Sequence, residues 1–154
     1  ALPFATASFA ATVSLQVIEH IWDPVTYVCE LARCTSGPIA LSTPNRLVHS
    51  PGLAALAKPE NPFHVREFDA TEMHELLQQS HPTRRVHMFG VRHGPRIRAW
   101  EDANGPLPDA VLAGDPKTME FAALVDTEDF TITRLADSLS SLANDDVHDL
   151  IALW

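Results

Sequence analysis

The chain of 154 residues predicts an α/β fold, in which helices pack on a layered sheet. Two observations predict it. Short apolar, β-prone runs alternate with amphipathic segments, and the amphipathic segments begin at helix-capping signals. A strand, helix, strand, helix, strand order is typical of this class. With 45% hydrophobic and 20% charged residues, the chain has the balance of one soluble globular domain with a single core.

The first three elements follow from local signals. Residues 11–15 predict a buried strand, because the run is short and largely apolar. Asp23 and Pro24 predict a helix start, with a capping carboxylate and a proline at the first helical position, where its missing N–H costs nothing. We expect this helix to run to about Arg33. A second apolar run predicts another strand over residues 38–42.

A long irregular segment separates the next elements. Residues 43–66 are rich in proline, and a loop of this length inside a compact domain is usually functional or mobile. Asp69 and Glu72 have the spacing of a capping box and predict a second helix. Residues 86–91 predict a third strand.

The pattern weakens towards the C-terminus. Residues 104–116 hold two glycines and three prolines and predict a loop or an insertion. Residues 130–133 alternate like a short strand, and residues 147–154 predict a final strand.

The charge balance bears on the partners. A net charge of −9, from 20 acidic and 11 basic residues, argues against nucleic-acid binding, which relies on a basic surface. Five arginines cluster locally and indicate either an anionic-ligand patch or scattered surface residues: Arg84, Arg85, Arg92, Arg96 and Arg98. The sequence has no apolar run of membrane-spanning length and no secretory signal at residues 1–9. We therefore expect a cytosolic protein with no membrane partner.

Polar residues follow the first predicted strand, where ligands bind in open α/β sheets. They are Ser14, Gln16, Glu19 and His20. One interpretation is that they face a crevice at the carboxyl end of the strand. The alternative is a solvated loop with helix-capping duties.

Several motifs, in order along the chain, resemble the second half of class I S-adenosylmethionine-dependent methyltransferases. They are Leu2-Pro3-Phe4, Ser8-Phe9, Val17-Ile18-Glu19-His20, Asp23-Pro24 and Leu41-Ser42-Thr43-Pro44-Asn45. More narrowly, three further motifs resemble a type 11-like mycobacterial and actinobacterial subgroup linked to O-methylation of mannose-containing polysaccharides. These are Ser42-Thr43-Pro44-Asn45-Arg46, Ser50-Pro51-Gly52 and Asn61-Pro62-Phe63-His64-Val65-Arg66-Glu67.

The resemblance implies a Rossmann-like sheet, mostly parallel with one antiparallel strand near residues 148–153. It makes residues 11–15 the fourth strand and residues 38–42 the fifth, so that residues 1–154 are the C-terminal part of a single methyltransferase domain whose N-terminal part is absent. The glycine-rich cofactor loop of the family has no counterpart in this sequence. Residues 99–146, where the match is loose, are expected to be a family-specific insertion or loop region.

For the cofactor, the resemblance implies S-adenosylmethionine. The backbone of Leu15 and Gln16 would contact its methionine part. Ala1 and Leu2 would follow the acidic residue that marks the adenine pocket.

His20 is the candidate catalytic base, because an unperturbed imidazole titrates near pH 6.5 and can take a proton from an acceptor hydroxyl. The alternative is an orienting or packing histidine. Asn45 and Arg46, directly after the fifth strand, and His64, at the end of the long loop, are candidate acceptor-binding residues. For His64 the alternative is a cluster that docks the loop.

Gln16, Glu19 and His20 also resemble a divalent-metal cluster of related quinone and sugar methyltransferases, so Mg²⁺ is a further candidate cofactor. The position of Gln16 is typically acidic there, and an amide oxygen contributes less affinity than a carboxylate.

The sequence thus predicts methyl transfer from S-adenosylmethionine to a hydroxyl of a small-molecule or saccharide acceptor. The rival is a non-catalytic methyltransferase-like module that binds a partner, which the missing glycine loop favours. A sheet without its first strands would expose the edge of residues 11–15, and an exposed edge favours a homo-oligomer.

Overall fold

The computed structural model describes residues 1–105, 107–135 and 147–154. Within them a five-stranded sheet has the order β1-β2-β5-β3-β4. The strands are β1 (Thr12–Leu15), β2 (Ile39–Pro44), β3 (His87–His93), β4 (Phe130–Arg134) and β5 (Asp149–Leu153). The helices are α1 (Pro24–Cys34), α2 (Arg46–His49), α3 (Ala70–Ser80), α4 (Pro95–Asn104), α5 (Leu107–Ala113) and α6 (Pro116–Ala122), with short 3₁₀ turns at Ile18–His20 and Thr127–Asp129.

The strand directions correct one prediction. β1 and β2 are parallel, but β5 lies antiparallel between β2 and β3, and β4 is antiparallel to β3. The expectation of a mostly parallel sheet with one antiparallel strand is therefore wrong. The C-terminal strand is antiparallel as expected, but its place between β2 and β3 separates two strands of the same direction. β4, which returns beside β3, adds a second reversed strand.

Local capping signals account for the two longest helices. The Asp23 side chain accepts a hydrogen bond from the Thr26 N–H at 3.0 Å, with Pro24 at the first helical position of α1. Asp69 and Glu72 form the predicted capping box at the start of α3. Both helices begin where the sequence predicts.

The structure differs from the predicted loop over residues 104–116, because residues 107–113 form α5. Gly105 and Gly114 flank this helix with φ of 89° and 70°, and Pro116 occupies the first turn of α6. These glycines and this proline therefore mark helix ends rather than a continuous loop. That residues 99–146 are a family-specific insertion stays a prediction, and residues 106 and 136–146 lie outside the described residues.

One hydrophobic core joins α1 and α3 to the sheet. Alternate residues of β2 and β5 face it, as expected for strands with one face on a core. Its fully buried side chains include Ile18, Val28, Ile39, Leu41, Phe68, Met73, Leu77 and Leu150. Ile18 belongs to the 3₁₀ turn after β1, so the core anchors the segment that carries Glu19 and His20.

β1 is an edge strand of the described sheet. It pairs with β2 alone among the described strands, and its Val13 and Leu15, which share one face of the sheet, are 67% and 59% exposed. The expected exposed edge is therefore present. None of the helices in the described part of the chain has both the length and the apolar composition that a membrane crossing needs.

Candidate active site

β1, β2 and β3 run in the same direction, so their carboxyl ends lie at the same end of the sheet. In α/β sheets, ligands bind at this end. At the end of β1 the backbone of Gln16 turns sharply, with φ of 52°, a left-handed conformation uncommon for a residue with a side chain. The Gln16 N–H donates to the Ser42 carbonyl at 3.1 Å. Its amide donates to Ser42 Oγ at 3.2 Å and to Asp149 Oδ1 at 3.4 Å.

The Glu19 carboxyl group is buried in the 3₁₀ turn that follows. Its side chain is 1% exposed, and Oε2 accepts a hydrogen bond from Thr43 Oγ1 at 3.2 Å. Burial raises the pKa of Glu19, and hydrogen bonds from the backbone and from Thr43 offset this only in part. The sequence therefore places a carboxyl group that resists ionisation beside His20.

The tautomer of His20 is set by the long loop. His20 Nδ1 lies 2.8 Å from the Phe63 carbonyl oxygen, which can only accept, so Nδ1 carries the proton. Nε2 is left with a lone pair and lies 3.9 Å from Glu19 Oε1. The loop is held by the Glu19 carbonyl, which accepts from the backbone N–H groups of Val65 and Arg66. His20 is thus oriented as a base or as a metal ligand.

The ring of His64 is also oriented by hydrogen bonds within the long loop. Its Nδ1 lies 2.6 Å from Oε1 of the buried Glu67, and its Nε2 lies 3.1 Å from the Asn61 amide nitrogen. A carboxylate is an acceptor, so Nδ1 donates to Glu67 and Nε2 accepts from Asn61. The rings of His20 and His64 meet edge to face at 5.1 Å.

Glu19, His20 and His64 form a group whose ligand atoms lie within 4.8 Å of one another. Two of the three predicted metal ligands, Glu19 and His20, are therefore neighbours. Gln16, the third, directs its amide towards Ser42 and Asp149, and His64 stands where a further ligand would be.

His20 and His64 open onto a cavity of about 570 Å³. Trp22 and Phe63 lie at its rim and are 87% and 75% exposed. The lining residues are His20, Trp22, Leu56, Lys58, Pro62, Phe63, His64 and Val65. The exposed aromatic faces and the polar imidazoles suit an acceptor with both apolar and hydroxyl surfaces.

Asn45 and Arg46, the other predicted acceptor ligands, are buried and bonded internally. Asn45 Nδ2 donates to the Val147 carbonyl at 2.7 Å, and its Oδ1 caps α2. Arg46 binds Asp69 at 2.5 Å and Glu72 at 3.1 Å. Their role in acceptor binding stays a prediction, and the geometry favours a structural role that ties β2 to α3.

The predicted cofactor residues at the N-terminus lie against α1. The Leu2 N–H donates to Glu30 Oε2 at 2.7 Å, and its carbonyl accepts from Arg33. Leu2 lines an apolar cavity of about 320 Å³ with Phe4 and other residues, and Ala1 is exposed. No described contact joins Ala1 or Leu2 to Leu15 or Gln16, so their shared role in cofactor binding stays a prediction.

Three of the five clustered arginines bind groups within the chain. Arg84 binds the Gly37 carbonyl, Arg92 binds Thr133 and Arg96 binds Asp129. These bonds favour the interpretation of structural surface arginines over an anion-binding patch.

Sequence reasoning missed a second histidine group. His93 and His148 have no ligand-like spacing in the sequence, but the structure buries His93 and stacks its ring on that of His148 at 3.5 Å. Glu101 Oε2 lies 3.0 Å from His93 Nδ1. The two histidines meet through the pairing of β3 with β5, which local sequence patterns do not reveal.

This arrangement has the fold of α/β methyltransferases. A solved structure of a similar fold is a S-adenosylmethionine-dependent methyltransferase from Thermotoga maritima, described as a possible histamine N-methyltransferase. It matches with a TM-score of 0.60 and 11% sequence identity over 99% of this chain and 58% of its own. At that identity the likeness concerns the fold alone. No family model matches the sequence.

The chain is also similar in sequence to curated proteins. A probable S-adenosylmethionine-dependent methyltransferase from Mycobacterium tuberculosis is 40% identical over 99% of this chain and 57% of its own length. A probable S-adenosylmethionine-dependent methyltransferase from Mycolicibacterium smegmatis is 35% identical over 99% of this chain and 60% of its own length. The chain thus spans a little more than half the length of the curated relatives it matches.

Proposed function

We propose that this chain forms the acceptor-binding part of an S-adenosylmethionine-dependent methyltransferase that modifies a hydroxyl group of a small molecule or saccharide. The observation that carries the proposal is the tautomer of His20. Its Nδ1–H is held by the Phe63 carbonyl, so the Nε2 lone pair is free to accept a proton from a hydroxyl in the cavity.

The chemistry assigned to the chain is proton removal and positioning. When bound, S-adenosylmethionine supplies the methyl group. His20 Nε2 would take the proton of the acceptor hydroxyl as its oxygen displaces S-adenosylhomocysteine from the methyl carbon, and Glu19 Oε1 lies 3.9 Å from that nitrogen. Trp22 and Phe63 would hold the apolar face of a sugar ring and orient its hydroxyl.

The residues at the end of β1 are compatible with the cofactor. The left-handed turn at Gln16 and the exposure of Leu15 leave the strand end open at the crevice. We assign the methionine part of S-adenosylmethionine to Leu15 and Gln16, and the adenine side to Ala1 and Leu2.

A metal at Glu19, His20 and His64 is the second role considered for the same group. Two imidazole nitrogens and one carboxylate suit an ion that accepts nitrogen ligands, whereas Mg²⁺ prefers an all-oxygen shell. Mg²⁺ therefore fits these residues poorly. An ion on His20 Nε2 would also occupy the lone pair that the base requires.

The proposal includes a saccharide acceptor, a cytosolic location and no nucleic-acid partner, in keeping with the net charge of −9. The mannose-containing polysaccharides named by the sequence resemblance are the acceptors to try first.

The test is His20→Ala in the full-length protein. Loss of a general base is expected to lower turnover by about 10²–10⁴-fold. S-adenosylhomocysteine affinity, measured by calorimetry, should change little, because the cofactor contacts are assigned to other residues.

His74→Ala, a substitution on α3, is the matched control and should leave turnover unchanged. Unchanged turnover in His20→Ala would remove the base assignment. If the full-length native protein binds no S-adenosylhomocysteine at all, the non-catalytic module takes precedence.

A further inference from the structure

The pairing of β5 with β3 brings two distant histidines together. His93 is the last residue of β3, and His148 directly precedes β5. Asp149 lies opposite Val91, and the His148 N–H donates to the Val91 carbonyl at 2.9 Å. The antiparallel register therefore sets the two imidazoles side by side at one end of the sheet.

Their rings lie face to face, 3.5 Å apart between centroids and 15° from parallel. The neutral imidazole is the form that coordinates a metal ion.

Glu101 on α4 completes the group. Its Oε2 lies 3.0 Å from His93 Nδ1, and its Oε1 accepts a hydrogen bond from the Leu107 N–H at 3.0 Å. A carboxylate whose second oxygen accepts a hydrogen bond from the backbone is held in the way that is typical of metal ligands.

We propose that His93, Glu101 and His148 form a binding site for a transition-metal dication of the zinc class. The three residues each offer a ligand atom, and these atoms lie within 4.8 Å of one another. Two imidazole nitrogens and one carboxylate oxygen are a donor set that Zn²⁺ accepts and that Mg²⁺ and Ca²⁺ disfavour. Because the rings are stacked, coordination would require one imidazole to turn about its χ2 bond and direct its nitrogen at the ion.

The site shares no residue with the group around His20. Its ligands come from β3, α4 and the residue before β5, so a bound ion would link α4 to the sheet. An ion held only by the folded chain stabilises the fold, and this gives a readout that does not depend on methyl transfer.

The experiment titrates Zn²⁺ into the His20→Ala protein by calorimetry and follows Tm with and without the ion. His20→Ala removes a ligand of the other candidate group, so the remaining binding reports on His93, Glu101 and His148. We expect one equivalent of Zn²⁺ to bind and to raise Tm. Adding His148→Ala should weaken binding by more than about tenfold and abolish the rise in Tm.

Glu101→Gln is the second variant, since it keeps the side-chain volume and the acceptor for Leu107 but removes the anionic ligand. It should also weaken Zn²⁺ binding, even if an alanine at a histidine position prevents folding. His74→Ala is the control and should bind Zn²⁺ like its parent. The proposal fails if His20→Ala binds no Zn²⁺, or if Glu101→Gln and His148→Ala both bind it unchanged.

Discussion

The state of single side chains at the candidate site depends on backbone carbonyls and buried carboxyl groups. Phe63 O selects the tautomer of His20, and Glu67 selects that of His64. Glu19 is buried beside them with few hydrogen bonds to its oxygens. The function proposed for His20 therefore depends on a neighbour whose ionisation opposes folding.

Glu19→Gln is expected to raise the free energy of unfolding at pH 7, because burial raises the pKa of the Glu19 carboxyl group. The folded pKa of Glu19 is raised above its usual 4.5, so the protonated carboxyl group favours the folded state. This contribution to the free energy of unfolding is present below the unfolded pKa and is lost as pH rises through the folded pKa. An uncharged amide avoids that loss. Urea unfolding of the native protein and of Glu19→Gln at pH 7 and pH 4 measures the difference in the free energy of unfolding.

The gain should shrink towards pH 4, because the buried carboxyl group is increasingly protonated in the folded state as pH falls. Glu75→Gln, an exposed position on α3, is the control and should have little effect at either pH. A gain that is equal at both pH values would contradict the burial argument.

At the scale of the element, α3 is stabilised by more than its own hydrogen bonds. Asp69 caps the helix and also binds Arg46, which in turn contacts Glu72 of the same capping box. The start of α3 is thus tied to α2, directly after β2.

Asp69→Ala is expected to lower the free energy of unfolding by about 2–4 kcal/mol, because it removes a cap and leaves the buried Arg46 with one carboxylate fewer. Asp23→Ala is the matched control, since Asp23 caps α1 without an arginine partner. Urea denaturation at pH 7 compares the two. An equal loss in both variants would show that Arg46 adds nothing to the cap.

The elements that carry their own local signals are the ones that could be predicted. β1, α1, β2 and the capping box at Asp69 follow from apolar runs and capping residues within a few positions of each other. Glu19 and His20, predicted at the crevice, do converge with His64, predicted to bind the acceptor. The place of β5 and the meeting of His93 with His148 depend on pairing between distant segments, for which no local pattern exists.

At the scale of the whole molecule, the open edge of the sheet at β1 is the feature that bears on association with other chains. β1 presents Val13 and Leu15 to solvent, beside the exposed Phe9. Exposed apolar residues on a strand with one open edge favour association with another chain.

The 154-residue chain is therefore expected to self-associate at micromolar concentrations, despite its net charge of −9. Replacing Val13 and Leu15 together with lysine should shift it towards the monomer, because charge on an edge strand opposes pairing. Sedimentation velocity measures the distribution. The matched control is lysine at Leu56, an exposed position on the long loop, and a shift of equal size there would show that the β1 edge is not the contact.

The central place of β5 has a consequence for how the chain acquires its structure during synthesis. β1 pairs with β2 and β3 pairs with β4, and in the described sheet only β5 connects these two pairs. On the ribosome, both pairs emerge before residues 149–153. Each pair therefore has an unpaired strand edge until β5 emerges and joins them. Pairings between segments so far apart in sequence form slowly. A chaperone that shields strand edges would therefore have its longest opportunity to act just before β5 emerges.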